Sequence, residues 1–124
     1  MIEPLPPTGL DIEASSRDGH GVLVLRGELD IASVPSLERA LSRSCTDGSK
    51  TIRIDLSRLV FIDSTGLAAI VLAGKLCEKH DIEFSLVQGS KAVRRLFELT
   101  GLIDVLPFEQ DDHVPVSSED LSQA

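Results

Sequence analysis

The sequence predicts an α/β fold in which one mixed β-sheet carries helices on one face, with the elements in the order ββαβαβαβ. Two patterns support this prediction. Several short segments alternate apolar and polar residues, as half-buried strands do, and the segments between them repeat apolar residues at helical spacing. The middle strands are polar at alternate positions, so the helices are expected on the other face. With 124 residues the chain is long enough for one domain with its own core.

The first part of the chain predicts an irregular lead-in followed by a β-hairpin. Residues 1–9 are rich in proline and are expected to be irregular. Apolar and acidic residues alternate over 10–14, Asp18-Gly19 is typical of a tight turn, and the apolar run 22–25 predicts a second strand. Because this run is continuous, it predicts burial on both faces of the sheet.

The first helix is expected after this hairpin. Val34, Leu37 and Leu41 recur at helical spacing. Ser33 is a plausible N-cap, and Pro35 suits the first turn of a helix.

The central segment predicts a strand that leads directly into a second helix. Residues 52–56 alternate apolar and polar, and a further apolar run, 59–62, stops at Asp63. The helix is expected from about Thr65 to Lys79. Its buried side is expected to carry Leu67, Ile70, Val71, Gly74 and Cys77.

The last third predicts a strand, a helix and a final short strand. Residues 82–86 alternate, and the residues after Ser90 predict a third helix. Gly101 is well suited to end that helix as its C′ residue. Val105 and Leu106 are expected to form the last strand.

Net charge argues against nucleic acid as a direct partner. The formal net charge is −8. Residues 109–124 contain five acidic side chains and no Lys or Arg, so this tail is expected to be disordered or to form a short helix. The rest of the chain has no basic stripe of the kind that binds phosphate backbones.

The cysteines and the hydropathy pattern predict a cytoplasmic protein without metal or cofactor. Cys45 and Cys77 lie on apolar helical stripes, where reduced cysteine acts as a small core residue. There is no CxxC motif and no Cys/His cluster. No apolar stretch approaches the roughly 20 residues of a membrane span, and the N-terminus lacks a signal-peptide pattern.

Enzymatic motifs are incomplete, so no catalytic residues and no enzyme activity are expected. Gly74-Lys75 is followed by Leu76, where a P-loop has Ser or Thr. The central serine, Ser64, is not in a GxSxG elbow, and the three histidines fall in turns or in the tail. Asp55 and Asp63 are the one candidate acid/base pair, but solvated surface carboxylates are the commoner case.

The Asp63-Ser64-Thr65-Gly66 step places two hydroxyls and a carboxylate at a predicted helix N-terminus. Free backbone N–H groups and the positive end of the helix dipole favour negative charge there. Two interpretations are open: a phosphorylatable switch, or an ordinary cap in which Ser64 is the N-cap.

Three sequence blocks resemble STAS-domain anti-sigma factor antagonists. They are residues 60–67, residues 26–30 through 35–37, and residues 97–102. The resemblance spans 10–108, which would be the STAS domain between the lead-in and the tail. It implies the STAS fold.

The resemblance also implies a partner-switching mechanism. The unphosphorylated protein would bind an anti-sigma factor that is also a serine kinase, and so free a sigma factor for RNA polymerase. Phosphorylation would block binding, and a PP2C-type phosphatase would restore it. Ser64 is favoured as the acceptor over Thr65, since kinases of this family are serine kinases. The alternative is a constitutive STAS adaptor, for example in a lipid-transport complex.

The same resemblance makes Asp30, Asp63, Ser64, Thr65 and Gly66 the candidate partner-binding residues. Each acidic residue has a competing structural interpretation as a turn or capping residue. Gly66 would admit a partner closely or relieve crowding in the first turn. A basic cluster, Lys91, Arg94 and Arg95, is expected to be a solvated helix face or a second partner contact.

Overall fold

The computed structural model describes residues 9–109. The expectations for the lead-in and the acidic tail therefore lie outside the described residues, apart from Gly9 and Glu109. The elements are β1 (Leu10–Arg17), β2 (His20–Leu29), α1 (Val34–Thr46), β3 (Thr51–Ile62), α2 (Ser64–Lys79), β4 (Glu83–Val87), α3 (Lys91–Leu99) and a 3₁₀ helix (Leu102–Asp104).

The sheet is mixed, as predicted. Its strand order is β1-β2-β3-β4, with β1 antiparallel to β2 and the other two pairs parallel. The predicted fold class is confirmed. None of the helices formed by residues 9–109 is long and apolar enough to cross a membrane.

The predicted β-hairpin is confirmed, with Asp18 and Gly19 as its two-residue turn. Arg17 pairs with His20, and the two turn residues have φ angles of 53° and 83°. Two consecutive residues with positive φ are the pattern of a type I′ turn, which matches the twist of the flanking strands. Glycine and aspartate tolerate this conformation better than most residues, which explains the signal in the sequence.

The core lies on one face of the sheet. Leu23, Leu25, Ile52 and Ile54 are fully buried, together with Leu86 of β4. The prediction that 22–25 is buried on both faces is wrong, since the intervening valines are only half-buried. The three helices α1, α2 and α3 pack on this face of the sheet. Their core side chains are Leu37, Leu41, Leu67, Ile70, Cys77, Val93 and Phe97.

Strand β3 contains two bulges that change its side-chain alternation. Val24 pairs with Asp55 and Arg26 with Arg58, so β3 has one residue more than β2 between these pairs. A second extra residue of β3 lies between the pairs of Gly27 and Glu28. From Leu56 onward, every third residue rather than every second is therefore buried. Bulges are uncommon in parallel pairs, and they redirect side chains where they occur.

The last predicted strand is wrong in position. Residues 102–104 form the 3₁₀ helix, Val105 is exposed, and the chain reaches the sheet only at Phe108, which makes an isolated parallel bridge to Leu86. The N–H groups of Val105 and Leu106 both donate to the carbonyl of Leu102, so these two residues close the helical turn instead of pairing with a strand. Gly101, at φ 79°, follows α3 as predicted.

Candidate functional site

Helix α2 is capped by Asp63 and not by Ser64, so the interpretation of Ser64 as the N-cap is wrong. Asp63 has extended backbone, and its Oδ1 accepts a 2.9 Å hydrogen bond from the N–H of Gly66. A carboxylate at this position satisfies a free N–H and also complements the helix dipole. The capping interpretation of Asp63 therefore has a direct structural basis.

Ser64 occupies the first helical position with its side chain exposed, whereas Thr65 is half-buried. Within residues 9–109, neither hydroxyl has a hydrogen-bond partner. The Ser64 hydroxyl is thus accessible and free to react, beside backbone N–H groups that favour a negative charge.

Gly66 is buried where α2 passes the end of β2. A Cβ at this position would lie 2.4 Å from the carbonyl oxygen of Leu29 and 2.9 Å from its Cγ. The backbone N–H of Asp63 donates a 3.2 Å hydrogen bond to that same oxygen. Crowding in the first turn accounts for the glycine, and contact between Gly66 and a partner stays a prediction.

Asp30 organises the loop between β2 and α1. Its Oδ1 accepts 3.1 Å hydrogen bonds from the N–H groups of Ala32 and Ser33. Ser33 stands at the N-cap position of α1, as predicted, but its hydroxyl makes no cap bond. Instead this buried hydroxyl donates to the carbonyl of Glu28 at 2.8 Å and accepts from the N–H of Asp30 at 2.9 Å.

The structure brings the five predicted partner-binding residues to one edge of the sheet. Leu29 pairs with Ile62 in parallel strands, and Asp30 and Asp63 directly follow this pair. Four ion pairs form within residues 9–109, and none of them includes Asp30 or Asp63. We call this edge, formed by residues 28–31 and 60–66, the acidic edge.

Sequence reasoning missed three exposed apolar side chains at the acidic edge: Ile31, Val60 and Phe61. Ile31 follows Asp30, and the other two lie in the bulged end of β3. Regular alternation after Leu59 would have turned Phe61 inward. No local sequence signal marks a bulge in a run of four apolar residues, so their exposure required the strand register.

The other predicted clusters lie apart from this edge. Asp55 accepts a 2.8 Å hydrogen bond from the N–H of Ser57. The seven β3 residues 56–62 separate it from Asp63, a span of roughly 20–25 Å, so the two carboxylates do not form an acid/base pair. Lys91, Arg94 and Arg95 are exposed on α3, where Arg94 pairs with Glu98 at 2.9 Å. No group of three metal-ligating side chains occurs among residues 9–109.

Both cysteines have raised thiol pKa values. Burial raises the pKa of Cys77 to about 11, and the charge of the nearby Cys45 thiolate contributes. Burial also raises the pKa of Cys45, which is half-buried. Both thiols are therefore protonated near neutral pH, which agrees with the core role predicted for them.

Comparison with known proteins identifies relatives of the whole domain. Residues 11–114 match the family model of the STAS domain. The anti-sigma-B factor antagonist of Staphylococcus aureus strain NCTC 8325 is 34% identical over 105 residues, which cover 85% of this chain and 97% of that protein.

Solved structures agree with this result. An anti-sigma factor antagonist from Mycobacterium paratuberculosis matches with a TM-score of 0.73 and 30% identity, covering 83% of this chain and 87% of that one. The anti-sigma factor antagonist SpoIIAA in its unphosphorylated form matches with a TM-score of 0.65 and 26% identity, covering 84% and 90%.

Proposed function

This chain belongs to the STAS-domain family of anti-sigma factor antagonists, and on that premise we propose that it is a phosphorylation-gated partner switch. In its unphosphorylated form it binds an anti-sigma factor that is also a serine kinase, and thereby frees a sigma factor. Phosphorylation of Ser64 ends this binding, and a PP2C-type phosphatase reverses the modification. The protein acts in the cytoplasm of a bacterium, without catalysing a reaction and without touching DNA.

The Ser64 hydroxyl at the start of α2 is exposed and has no hydrogen-bond partner among residues 9–109, and this observation carries the proposal. In the transfer step, Ser64 Oγ attacks the γ-phosphorus of ATP bound to the kinase. The Oγ–P bond forms, the bond to ADP breaks, and the hydroxyl proton is released. The phosphatase hydrolyses the phosphoserine to serine and inorganic phosphate.

The negative charge at the acidic edge explains why phosphorylation would block binding. A phosphoryl group adds a charge of about −1.5 to −2. In the free protein, water and the N-terminus of α2 accommodate this charge. In a complex, the partner excludes water, and the phosphate then lies beside Asp63 and Asp30, which have no basic partner among residues 9–109. Repulsion and lost solvation therefore oppose docking.

Ser64 is the acceptor rather than Thr65 on the basis of access. Ser64 is exposed, while Thr65 is half-buried one position further into α2. A kinase active site must close around the hydroxyl that it modifies, and the exposed position requires less rearrangement.

The test is incubation of the full chain with its cognate anti-sigma factor kinase and ATP, followed by mass-spectrometric mapping of the phosphate. One phosphate is expected on Ser64, and none in Ser64→Ala. Thr65→Ala is the matched control and should be modified as the wild type is. A phosphate on Thr65, or no modification at all, would overturn the proposal, and the second result would favour the constitutive adaptor.

A further inference from the structure

The bulged end of β3 exposes two apolar side chains that a regular strand would not place together on the surface. Leu59 and Ile62 are buried, and the extra residue between them directs both Val60 and Phe61 outward, with 67% and 47% of their surface exposed. Phe61 is the one exposed phenylalanine; Phe84, Phe97 and Phe108 are all at least half-buried. The strand register is therefore built so that an aromatic side chain faces solvent.

Ile31 extends this apolar surface on the neighbouring loop. It is 73% exposed and follows Asp30, while Phe61 pairs in register with Glu28 at the end of β2. Strand β4 pairs with β3 over residues 51–55, and the last of these pairs is Asp55 with Val87. The end of β3 thus extends beyond β4, and within residues 9–109 no strand covers it on that side. We name Ile31, Val60 and Phe61 the apolar anchor.

The apolar anchor and the Ser64 hydroxyl lie on the same acidic edge. Phe61 is two residues before Asp63, and Ile31 is next to Asp30. Protein interfaces commonly combine a few large apolar side chains, which fill pockets on the partner, with a polar rim. Here the rim contains the acidic residues Glu28, Asp30 and Asp63, which outnumber the exposed Arg58 two residues before Val60.

We propose that Ile31, Val60 and Phe61 are the anchoring contacts for the anti-sigma factor, whose matching surface is an apolar pocket bordered by basic side chains. This inference rests on the proposed function and names the part of the surface that supplies the affinity. Ser64 follows Phe61 by three residues, so a phosphate on Ser64 would add its charge close to the anchor.

Charge favours this occupant over a second copy of the chain. In a symmetric dimer through the acidic edge, Glu28, Asp30 and Asp63 of one copy would face the same residues of the other. Like charges in a desolvated interface are strongly unfavourable. A partner with basic residues around an apolar pocket meets no such penalty and gains from charge complementarity.

The test measures the affinity of the cognate anti-sigma factor for Phe61→Ala, Val60→Ala and Ile31→Ala by isothermal titration calorimetry. Phe61→Ala should lower affinity by about tenfold or more, as the loss of a central anchor does. Leu99→Ala and Val105→Ala are the matched controls, because these residues are 70% and 74% exposed but lie at the end of α3 and directly after the 3₁₀ helix. Both controls should bind as the wild type does.

Two further measurements keep the proposal falsifiable. Ile31→Ala lies in a loop outside the strand, so it reports on the anchor even if Phe61→Ala alters β3, and it should also weaken binding. Wild-type affinity for both variants, or equal losses in the controls, would overturn the anchor. Analytical ultracentrifugation of the chain alone measures its oligomeric state. If the wild type is a dimer and Phe61→Ala is a monomer, the surface binds a second copy instead.

Failure of the anchor is separable from failure of the phosphorylation switch. Phosphate mapping on Phe61→Ala should still find Ser64 modified, with a raised KM for the kinase and a nearly unchanged kcat. If Phe61→Ala binds normally while phosphorylation of Ser64 still abolishes binding, the anchor is wrong and the switch stands.

Discussion

The carbonyl oxygen of Leu29 accepts a 3.2 Å hydrogen bond from the backbone N–H of Asp63, and this contact joins the end of β2 to the start of α2. Ile62, which pairs with Leu29, immediately precedes Asp63. The position of Ser64 is therefore set by the sheet and not by a free loop. The hydrogen bond fixes the backbone next to Ser64, whereas the exposed side chain of Ser64 stays free to rotate.

Gly66→Ala is expected to destabilise the protein by about 1–3 kcal/mol. The new Cβ would lie 2.4 Å from the Leu29 carbonyl oxygen, which is backbone and cannot move aside alone. The better helix propensity of alanine, about 1 kcal/mol, offsets only part of this. Urea unfolding measures the change. Ala68→Ser, at an exposed position of the same helix, should stay within about 0.5 kcal/mol of wild type. A Gly66→Ala protein as stable as wild type would contradict the crowding.

Two substitutions at Asp63 separate its capping role from its charge. Asp63→Ala removes the acceptor of the Gly66 N–H and should cost about 0.5–2 kcal/mol in urea unfolding. Asp63→Asn keeps an acceptor, since asparagine is an equally good N-cap, so most of the stability should remain. If Asp63 also contacts the kinase, Asp63→Asn should nevertheless weaken binding.

The control for Asp63 is Ser90→Ala, which removes the cap of α3, where Ser90 accepts from the N–H of Val93. It should lower stability without changing partner affinity. Binding of Asp63→Asn at wild-type affinity would limit Asp63 to its capping role.

Local signals in the sequence were sufficient for the hairpin and for the end of α3. Asp18-Gly19 and Gly101 need positive φ angles, and few other residues supply them at low cost. The bulges of β3 have no comparable signal, because Leu59, Val60, Phe61 and Ile62 are all apolar and only the pairing with β2 decides which of them face the core. Register is a tertiary property.

The candidate site divides in the same way. The residues Asp63 to Gly66 are contiguous, so their shared location followed from the sequence. Asp30 joins them only because β2 and β3 are parallel neighbours, which no spacing in the sequence reveals. Ser33 resembled a cap, but its hydroxyl does not bond the first turn of α1. It donates to the carbonyl of Glu28 and accepts from the N–H of Asp30, and so stabilises the loop before the helix.

The stability of the protein should fall at alkaline pH because of Cys77. Its thiol pKa is raised to about 11 in the folded state, against about 8.5 in an unfolded chain. The folded state therefore holds this proton more tightly. The resulting stability is fully present below the unfolded pKa and is lost as the pH rises through 11. Urea unfolding between pH 8 and 11 should show this fall.

The control for this pH effect is Cys77→Ala, which removes the titrating group. The variant is less stable overall, because Cys77 is fully buried, but its stability should decline less steeply over the same pH range. Parallel pH profiles for the two proteins would contradict the raised pKa. At pH 8, iodoacetamide should modify Cys45 before Cys77, since only Cys45 is partly accessible.

Ser64→Asp should weaken binding of the anti-sigma factor while leaving the fold intact, because it adds one negative charge beside Asp63 and Asp30. The side chain is exposed and lies in the first turn of α2, where a carboxylate interacts favourably with the helix dipole, so stability should be unchanged or slightly higher. Calorimetric titrations at low and high salt measure the effect, which should shrink as salt screens the repulsion. Ser42→Asp adds the same charge at an exposed position eight residues into α1, about 12 Å along that helix from its start, and should bind normally. Equal affinities for wild type and Ser64→Asp would show that charge at this position does not gate the interface.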